Sequence, residues 1–268
     1  MVTLLTNYNT QRYILNSTDD IDNINFHNGD QVLLMDQDAL IVFDEENVAW
    51  HAVPAGRGGG GYEANDWFDY TKPAGAITTD KTFSYNSWTP IKGHTGITGV
   101  TLTATVSIPD SFADGCTSLV DFHAPLAKTL YATSLRNTAI EYLVLPSLTS
   151  MNGANICSAC TALKGVDFGG PAASDGLKGT YIFSSCSIFD TLILRGSNVW
   201  ALQNVNSFNG SKFASGQSGG TLYVPFALIA SYQAATNWST ILGYANNQIK
   251  AIEGSIYETA YVDGTPIS

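Results

Sequence analysis

The sequence is poor in charge, and poorest in basic residues. Charged residues make up 13% of the 268 residues, against about 25% in an average soluble domain. Twelve Lys and Arg stand against 23 Asp and Glu, which gives a formal net charge of −11. A protein that binds nucleic acid carries a basic patch, and an anionic membrane surface repels an acidic chain. We therefore expect no nucleic acid partner and no membrane insertion.

Long apolar runs and the motifs of common enzymes are also missing. No stretch of about 18 apolar residues is present for a membrane span, and residues 1–13 lack the three parts of a secretory signal. The glycine run before Tyr62 is not followed by Gly-Lys-Ser/Thr, so it is no phosphate loop. The four histidines accompany no recognisable nucleophile motif. We expect a protein that is not an enzyme and needs no cofactor, although a pair of distant carboxylates for glycoside cleavage stays open.

Cysteine is scarce, with four in the chain. The Cys157-x-x-Cys160 spacing suggests a redox or metal site, but a redox motif needs a βαβ context that the surrounding pattern does not offer. Cysteines 116, 157, 160 and 186 do not form the two close pairs of a zinc site. We interpret them as reduced, buried, structural residues and predict no metal site; a disulfide and a metal remain the alternatives.

Glycine is plentiful, and an apolar pattern recurs in the middle of the chain. The pattern is an apolar residue, two others, a second apolar residue, one other, and a third apolar residue. It begins at Ile97, Leu119, Ile140, Leu163 and Phe189, with starts 22, 21, 23 and 26 residues apart. Leucine-rich repeats have periods of about 20–29 residues. A unit this short cannot bury its apolar face alone, so we predict a mainly β solenoid of stacked units.

A second position recurs three residues before each apolar pattern. The residues there are His94, Cys116, Asn137, Cys160 and Cys186. We predict that all but His94, which falls in the first unit, form a structural ladder inside the turns, where small side chains meet buried backbone groups.

The two ends differ from the repeats. Residues 219–253 predict a strand at Leu222–Val224, a helix after Pro225 and a closing strand, which together form a cap over the last unit. Near the N-terminus, strands are predicted at Val32–Met35 and Leu40–Phe43, with a third containing Trp50. The predicted segments are an N-terminal β-meander (1–54), a Gly-rich connection (55–66), an aromatic N-terminal cap (67–93), the repeats (94–218), the C-terminal cap (219–253) and a tail (254–268).

The stretches "FADGCTSLVDFHAP" and "TLYVPFALIASYQAATNWS" resemble bacterial BspA-type leucine-rich-repeat surface proteins and their phage relatives, over about residues 94–253. Residues 28–53 resemble the N-terminal β-modules of phage fibre and head-fibre proteins. Together the resemblances imply a bacteriophage virion structural protein, a tail-fibre, head-fibre or capsid-decoration subunit on the virion surface. It would contact other virion proteins through residues 1–54, form a homo-oligomer, and present the repeats to a host-surface glycan or protein. The resemblance to fibre proteins implies a trimer as the form of that homo-oligomer. A purely structural capsid or baseplate component and a bacterial surface adhesin are the alternatives.

Exposed aromatic residues are the candidate contacts. Aromatic side chains are enriched at interfaces and bind sugar faces, which selects Trp67, Phe68, Tyr70 and Trp88 before the first repeat. Burial of the same residues in the N-terminal cap competes with this role, and it is the interpretation we favour, because large aromatic side chains dominate core burial. In the tail, we expect docking on a neighbouring subunit, because four side chains would otherwise be exposed: Ile256, Tyr257, Tyr261 and Val262. A disordered tail is the alternative.

Overall fold

The structure is a computed structural model, and it is mainly β. It describes residues 74–83, 91–171, 175–214, 217, 219–243 and 248–267, together with the backbone of five strands before residue 55. The chain divides into two compact units, Met1–Pro73 and Ala74–Ser268. The candidate contacts Trp67, Phe68, Tyr70 and Trp88 lie outside the described residues.

The first unit contains one sheet with the order β1-β2-β3-β4-β5. Its strands are β1 (Thr3–Asn7), β2 (Thr10–Leu15), β3 (Gln31–Leu34), β4 (Ala39–Asp44) and β5 (Ala49–Pro54). The last three pair antiparallel in succession and correspond to the three strands predicted there. The first two were not predicted. Because β2 pairs with β3 in parallel, the whole sheet is not a simple meander.

The second unit is built from parallel strands. They are β6 (Ala74–Thr79), β7 (Gly96–Leu102), β8 (Ser107–Ile108), β9 (Asp121–His123), β10 (Thr129–Tyr131), β11 (Tyr142–Leu145), β12 (Ser150–Asn152), β13 (Gly165–Phe168), β14 (Gly176–Leu177), β15 (Thr191–Leu194), β16 (Ala201–Leu202), β17 (Thr221–Val224) and β18 (Gln248–Ala251). Among the described residues they form three sheets, β6-β7-β9, β8-β10-β12-β14-β16 and β11-β13-β15-β17-β18. From β7 to β17, the even-numbered strands belong to the sheet that contains β8, and the odd-numbered strands belong to the other two sheets.

The core lies between two rows of apolar side chains. All fifteen apolar positions of the five recurring patterns are buried, with at most 7% of any residue exposed. In register, Leu143 pairs with Val166, and Val166 with Leu192. A row in the other sheet was not predicted: Ile108, Leu130, Met151, Leu177 and Leu202 are paired in sequence and are at most 5% exposed. Each stretch of chain from one apolar pattern to the next therefore contributes two short strands, one to each row.

The turns before each pattern also stack. The N–H groups of Gly115, Asn137 and Ala159 donate to carbonyls of the following turn at 2.9, 2.9 and 2.8 Å. All three residues have positive φ, between 56° and 82°. This register corrects the predicted ladder. Asn137 is exposed and takes a left-handed conformation, which asparagine tolerates better than most residues; the next residue, Thr138, is buried in its place.

The cysteines of the predicted ladder are buried in these turns. The thiols of Cys116, Cys160 and Cys186 donate to the backbone carbonyls of Ile91, Leu135 and Cys157 at 2.8, 3.1 and 3.1 Å. Each thiol therefore ties its turn to the turn before it. Burial raises the pKa of Cys116 to about 12, so this thiol stays protonated at neutral pH.

The last elements close the end of the second unit. After β17 come a 3₁₀ turn at Phe226–Leu228 and two helices, α1 (Ile229–Ala234) and α2 (Trp238–Leu242), before β18. Tyr232 and Trp238 are fully buried. The backbone N–H of Trp200 donates to the Tyr232 hydroxyl at 3.0 Å, and the indole N–H of Trp238 donates to the backbone carbonyl of Trp200. Within the described part of the chain, no helix has the length and apolar character needed to cross a membrane.

Candidate functional site

The outward face of the sheet β11-β13-β15-β17-β18 changes character along its length. Val144, Asp167, Ile193 and Tyr223 form one paired row on this face. Strand alternation directs them away from the core that Val166 and Leu192 enter. Asp167 and Ile193 are nevertheless fully buried. Something therefore covers the middle of this face, and it is the C-terminal tail.

Beneath the tail lies a bidentate ion pair. The Arg195 guanidinium donates to both carboxylate oxygens of Asp167 at 2.7 Å. The Asp167 side chain has no exposed surface, and that of Arg195 is 19% exposed. Burial raises the pKa of Asp167 above its ordinary value, and the Arg195 charge opposes that rise. The pair thus holds two charges in a place where water reaches only the arginine.

The ion pair binds the backbone of the tail. Arg195 donates to the carbonyl oxygens of Tyr257 and Ala260 at 3.0 and 3.1 Å. Asp167 accepts from the Val262 N–H at 3.2 Å. The Arg195 guanidinium carbon also lies 5.3 Å from the centre of the Tyr261 ring. We call Asp167 and Arg195 the clamp.

Apolar contacts accompany the clamp. Val262 is 8% exposed and clusters with Ile193 and Ile252. The Tyr257 ring packs edge-on against Tyr223, with centroids 4.7 Å apart. Tyr257 and Tyr261 are half-buried against their own chain. The chain's own outward face therefore covers part of the tail, whereas Ile256 in the same tail is 74% exposed. Docking of the tail on a neighbouring subunit stays a prediction.

Gly165 makes room for the tail. A Cβ atom at this position would lie 2.5 Å from the Val262 Cγ2, whereas its other neighbours, in Thr191, are at 3.4 Å or more. Its φ is not positive, so backbone conformation does not require a glycine there. The missing side chain is explained by the valine that fills its space.

A groove of about 380 Å³ remains open beside the tail. It lies between β9 and β11, and its lining residues are Val120, Asp121, Phe122, His123, Glu141, Tyr142, Val144 and Asp263. The Tyr142 side chain is exposed, and Lys164 sits over its ring at 5.7 Å. The Lys164 ammonium also donates to Glu141 at 2.6 Å, which leaves Asp121 and Asp263 as the unbalanced charges. The groove therefore combines an aromatic face with hydrogen-bond acceptors.

Metal chemistry finds no support in the described part of the chain, where no group of three or more His, Cys, Asp or Glu is placed to hold an ion. The four cysteines are free and buried. The interaction between the neighbouring Cys160 and Cys186 thiols lowers the pKa of Cys160 and raises that of Cys186. Both lie in the core, away from any opening described here.

Sequence reasoning missed both the clamp and the groove residues. Asp167 occupies the outward position of the fourth apolar pattern, and Arg195 directly follows the fifth. A signal existed, because Val144 and Ile193 are apolar at outward positions where a solvated sheet carries polar residues.

Comparison of the chain with models of protein families, with curated proteins and with solved structures gives no match. Function is therefore argued from the fold and these two surface features.

Proposed function

We propose that this chain is a bacteriophage virion structural protein, a fibre or decoration subunit on the virion surface. In this proposal it presents a leucine-rich-repeat solenoid that attaches to a host-surface glycan or protein. It contacts other virion proteins through residues 1–54, forms a homo-oligomer and catalyses no reaction. The observation that carries the proposal is the recurring unit of two short parallel strands and a stacked turn.

A solenoid accounts for several otherwise separate observations. Each described turn bonds to the next, and paired rows of apolar residues run through both sheets. In a solenoid each repeat touches only its neighbours, and the terminal repeats need caps. The segment from β17 to β18, with buried Tyr232 and Trp238, suits the cap at one end. The resemblance to BspA-type repeats in the sequence supports the same reading.

The groove between β9 and β11 is the contact we favour for a glycan. Aromatic rings pack against the apolar faces of sugars, and carboxylates accept hydrogen bonds from sugar hydroxyls. Tyr142 offers the ring, while Asp121 and Asp263 offer the carboxylates. Such a site binds weakly, and many copies on one particle raise the overall avidity.

A purely structural virion component is the second candidate. Phe226 and Ile256 favour it, because they are 72% and 74% exposed and suit contacts with neighbouring proteins. A bacterial adhesin of the BspA type has no specific observation of this kind.

The location of the protein is the first test. Mass spectrometry of gradient-purified phage particles, followed by electron microscopy with labelled antibody, should find the chain on particles. Absence from particles together with presence in the cell envelope would overturn the virion proposal and favour the adhesin.

Attachment is tested separately with the purified full chain and host cells. We expect Tyr142→Ala to weaken cell binding roughly tenfold, in line with the loss of one ring contact at an interface. Tyr181→Ala is the matched control, because Tyr181 has a similar exposure, 42% against 38%, and does not line the groove. Chain that is present on particles but shows no cell binding would favour the purely structural candidate.

A further inference from the structure

The C-terminal tail contains a small hairpin with its own hydrogen bonds. Ala260 and Pro266 form an antiparallel bridge. The Tyr261 N–H donates to the Thr265 carbonyl at 2.8 Å, and the Ile267 N–H donates to the Thr259 carbonyl at 3.0 Å. The Asp263 carboxylate accepts from the N–H and the hydroxyl of Thr265. We call residues 259–267 the C-terminal hairpin. Internal bonds of this kind lower the entropy cost of docking it.

The clamp recognises this hairpin as a peptide. Of the three clamp hydrogen bonds to the tail, all go to backbone groups, at Tyr257, Ala260 and Val262. Charge-assisted bonds from an ionised pair are stronger than neutral ones. Side-chain selection comes from the space above Gly165, which takes the Val262 side chain. Backbone bonds together with one filled apolar pocket form a common mode of peptide recognition.

A short covalent link joins β18 to the tail. After the last strand hydrogen bond, from Ile252 to Val224, the chain turns at Glu253–Ser255 and enters the tail. Gly254 has a φ of 76° in this turn and nothing within 4 Å of its missing side chain. The Gly254 N–H donates to the Glu258 carboxylate, and the Ser255 hydroxyl accepts from the Tyr257 N–H. Besides these bonds, the link sets the local concentration of the hairpin, which for short links is of order millimolar.

We propose that the clamp and the space above Gly165 form a peptide-binding site that accepts the C-terminal hairpin of a second copy of this chain as well as its own. The site's geometry specifies the ligand. It is the hairpin with the residues just before it, which together offer the carbonyls of Tyr257 and Ala260 to Arg195, one N–H to Asp167 and a valine-sized side chain. A copy whose own hairpin is released offers a vacant site to its neighbour. This proposal stands independently of where the protein functions.

The test uses the full chain and a fluorescein-labelled peptide of residues 255–268. Val262→Glu places a charge in the apolar pocket and should release the hairpin in the same chain. By fluorescence anisotropy, we expect the peptide to bind this variant at least roughly tenfold more tightly than it binds the unmodified chain, whose site is occupied. Adding Arg195→Ala to Val262→Glu should abolish binding, and so should Val262→Glu in the peptide.

Hydrogen exchange in β15 and β17 checks that each variant is folded, and Val262→Ala replaces Val262→Glu if the latter is not. Failure of the peptide to bind a folded Val262→Glu chain would overturn the proposal. Equal binding with and without Arg195 would overturn it too.

Two full-length variants test exchange between copies directly. The Val262→Glu chain has a site but no usable hairpin, and the Arg195→Ala chain has a hairpin but no usable site. Light scattering during gel filtration should show a mixed complex larger than the species either variant forms alone. Its absence at concentrations above the dissociation constant of the peptide would show that the hairpin docks only within its own chain, and the proposal would fall.

Discussion

Substitution of Gly165 by alanine should loosen the C-terminal hairpin and leave the repeats in place. The new methyl carbon would lie 2.5 Å from the Val262 Cγ2, whereas carbon atoms in contact prefer about 3.5–4.0 Å. The overlap of about 1 Å falls on a side chain that belongs to the tail. Overpacking of this kind costs about 1–3 kcal/mol. We expect the hairpin, whose contacts are few, to move instead of the paired strand β13.

Amide hydrogen exchange measures this loosening locally. The Val262 N–H is bonded to the Asp167 carboxylate, so it exchanges when the hairpin opens. A cost of about 1–3 kcal/mol predicts exchange roughly 5- to 150-fold faster in Gly165→Ala. Gly99 is the matched control, because it too stands in a strand with ordinary φ, and its nearest contacts are Ala76 and Asp121, not the tail. Gly99→Ala should leave Val262 exchange unchanged.

A double-mutant cycle then assigns the effect to the one contact. Val262→Ala alone loses roughly 1.5 kcal/mol of apolar burial. In that background the Cγ2 is gone, and Gly165→Ala should cost little or even restore packing, so that the two changes couple by about 1–2 kcal/mol. Additive effects would refute the argument, and so would unchanged Val262 exchange in the Gly165→Ala single variant.

Three further predictions concern groups buried beneath the surface. Burial raises the pKa of Asp167 in the folded state. Its contribution to folding stability is therefore full below its ordinary pKa of 3.8 and is lost as the pH rises through the folded-state pKa. In urea unfolding, the unmodified chain should gain stability relative to Asp167→Asn as the pH falls from 7 to 4, and a constant difference would contradict this. Tyr232→Phe leaves the buried backbone N–H of Trp200 without its acceptor and should lower the free energy of unfolding by about 1–3 kcal/mol. The urea midpoint should fall at constant slope, whereas Tyr181→Phe, at an exposed position, should change it little. The four buried cysteines should resist a thiol reagent at pH 8 until the chain is denatured, and rapid labelling of the native chain would show that the turns open.

The apolar pattern predicted the strands that contain it, because the inward residues of these strands are buried at equivalent positions in every repeat. Leu143, Val166 and Leu192 pair with one another in succession and are buried, as are Val100 and Phe122, which pair in the neighbouring sheet. The C-terminal elements were predictable for a similar reason, since Pro225 separates a strand from a helical pattern. Local physics was sufficient in both cases.

The other side of each unit was missed because its strands are two or three residues long. Ile108, Leu130 and Leu202 lie in strands that are defined by pairing with the neighbouring repeat and not by alternation within their own sequence. Residues 169–185 and 195–220 contain β14, β16 and a 3₁₀ turn at Val205–Phe208, none of which the apolar pattern predicted. Alternation over so few residues gives no periodic signal.

The Asn137 error has a different origin. Counting back three residues from each pattern assumes that every turn has the same length. The backbone bonds show that Asn137 is equivalent to Gly115 and Ala159, one place before the cysteines. The left-handed φ of these residues would have identified the alignment, because Gly and Asn favour it. Side-chain chemistry alone had suggested that Asn137 could replace a cysteine.

The tail illustrates what single-segment reasoning leaves out. Tyr257, Tyr261 and Val262 were recognised as too apolar to stay exposed, and a neighbouring subunit was chosen as their cover. Val144 and Ile193 posed the same problem at outward positions of the strands. Two uncovered apolar surfaces in one chain can pack against each other. A linked segment meets its partner surface at a far higher local concentration than a separate molecule does. The buried Asp167, which needs a cation and a further donor, marks where that meeting occurs.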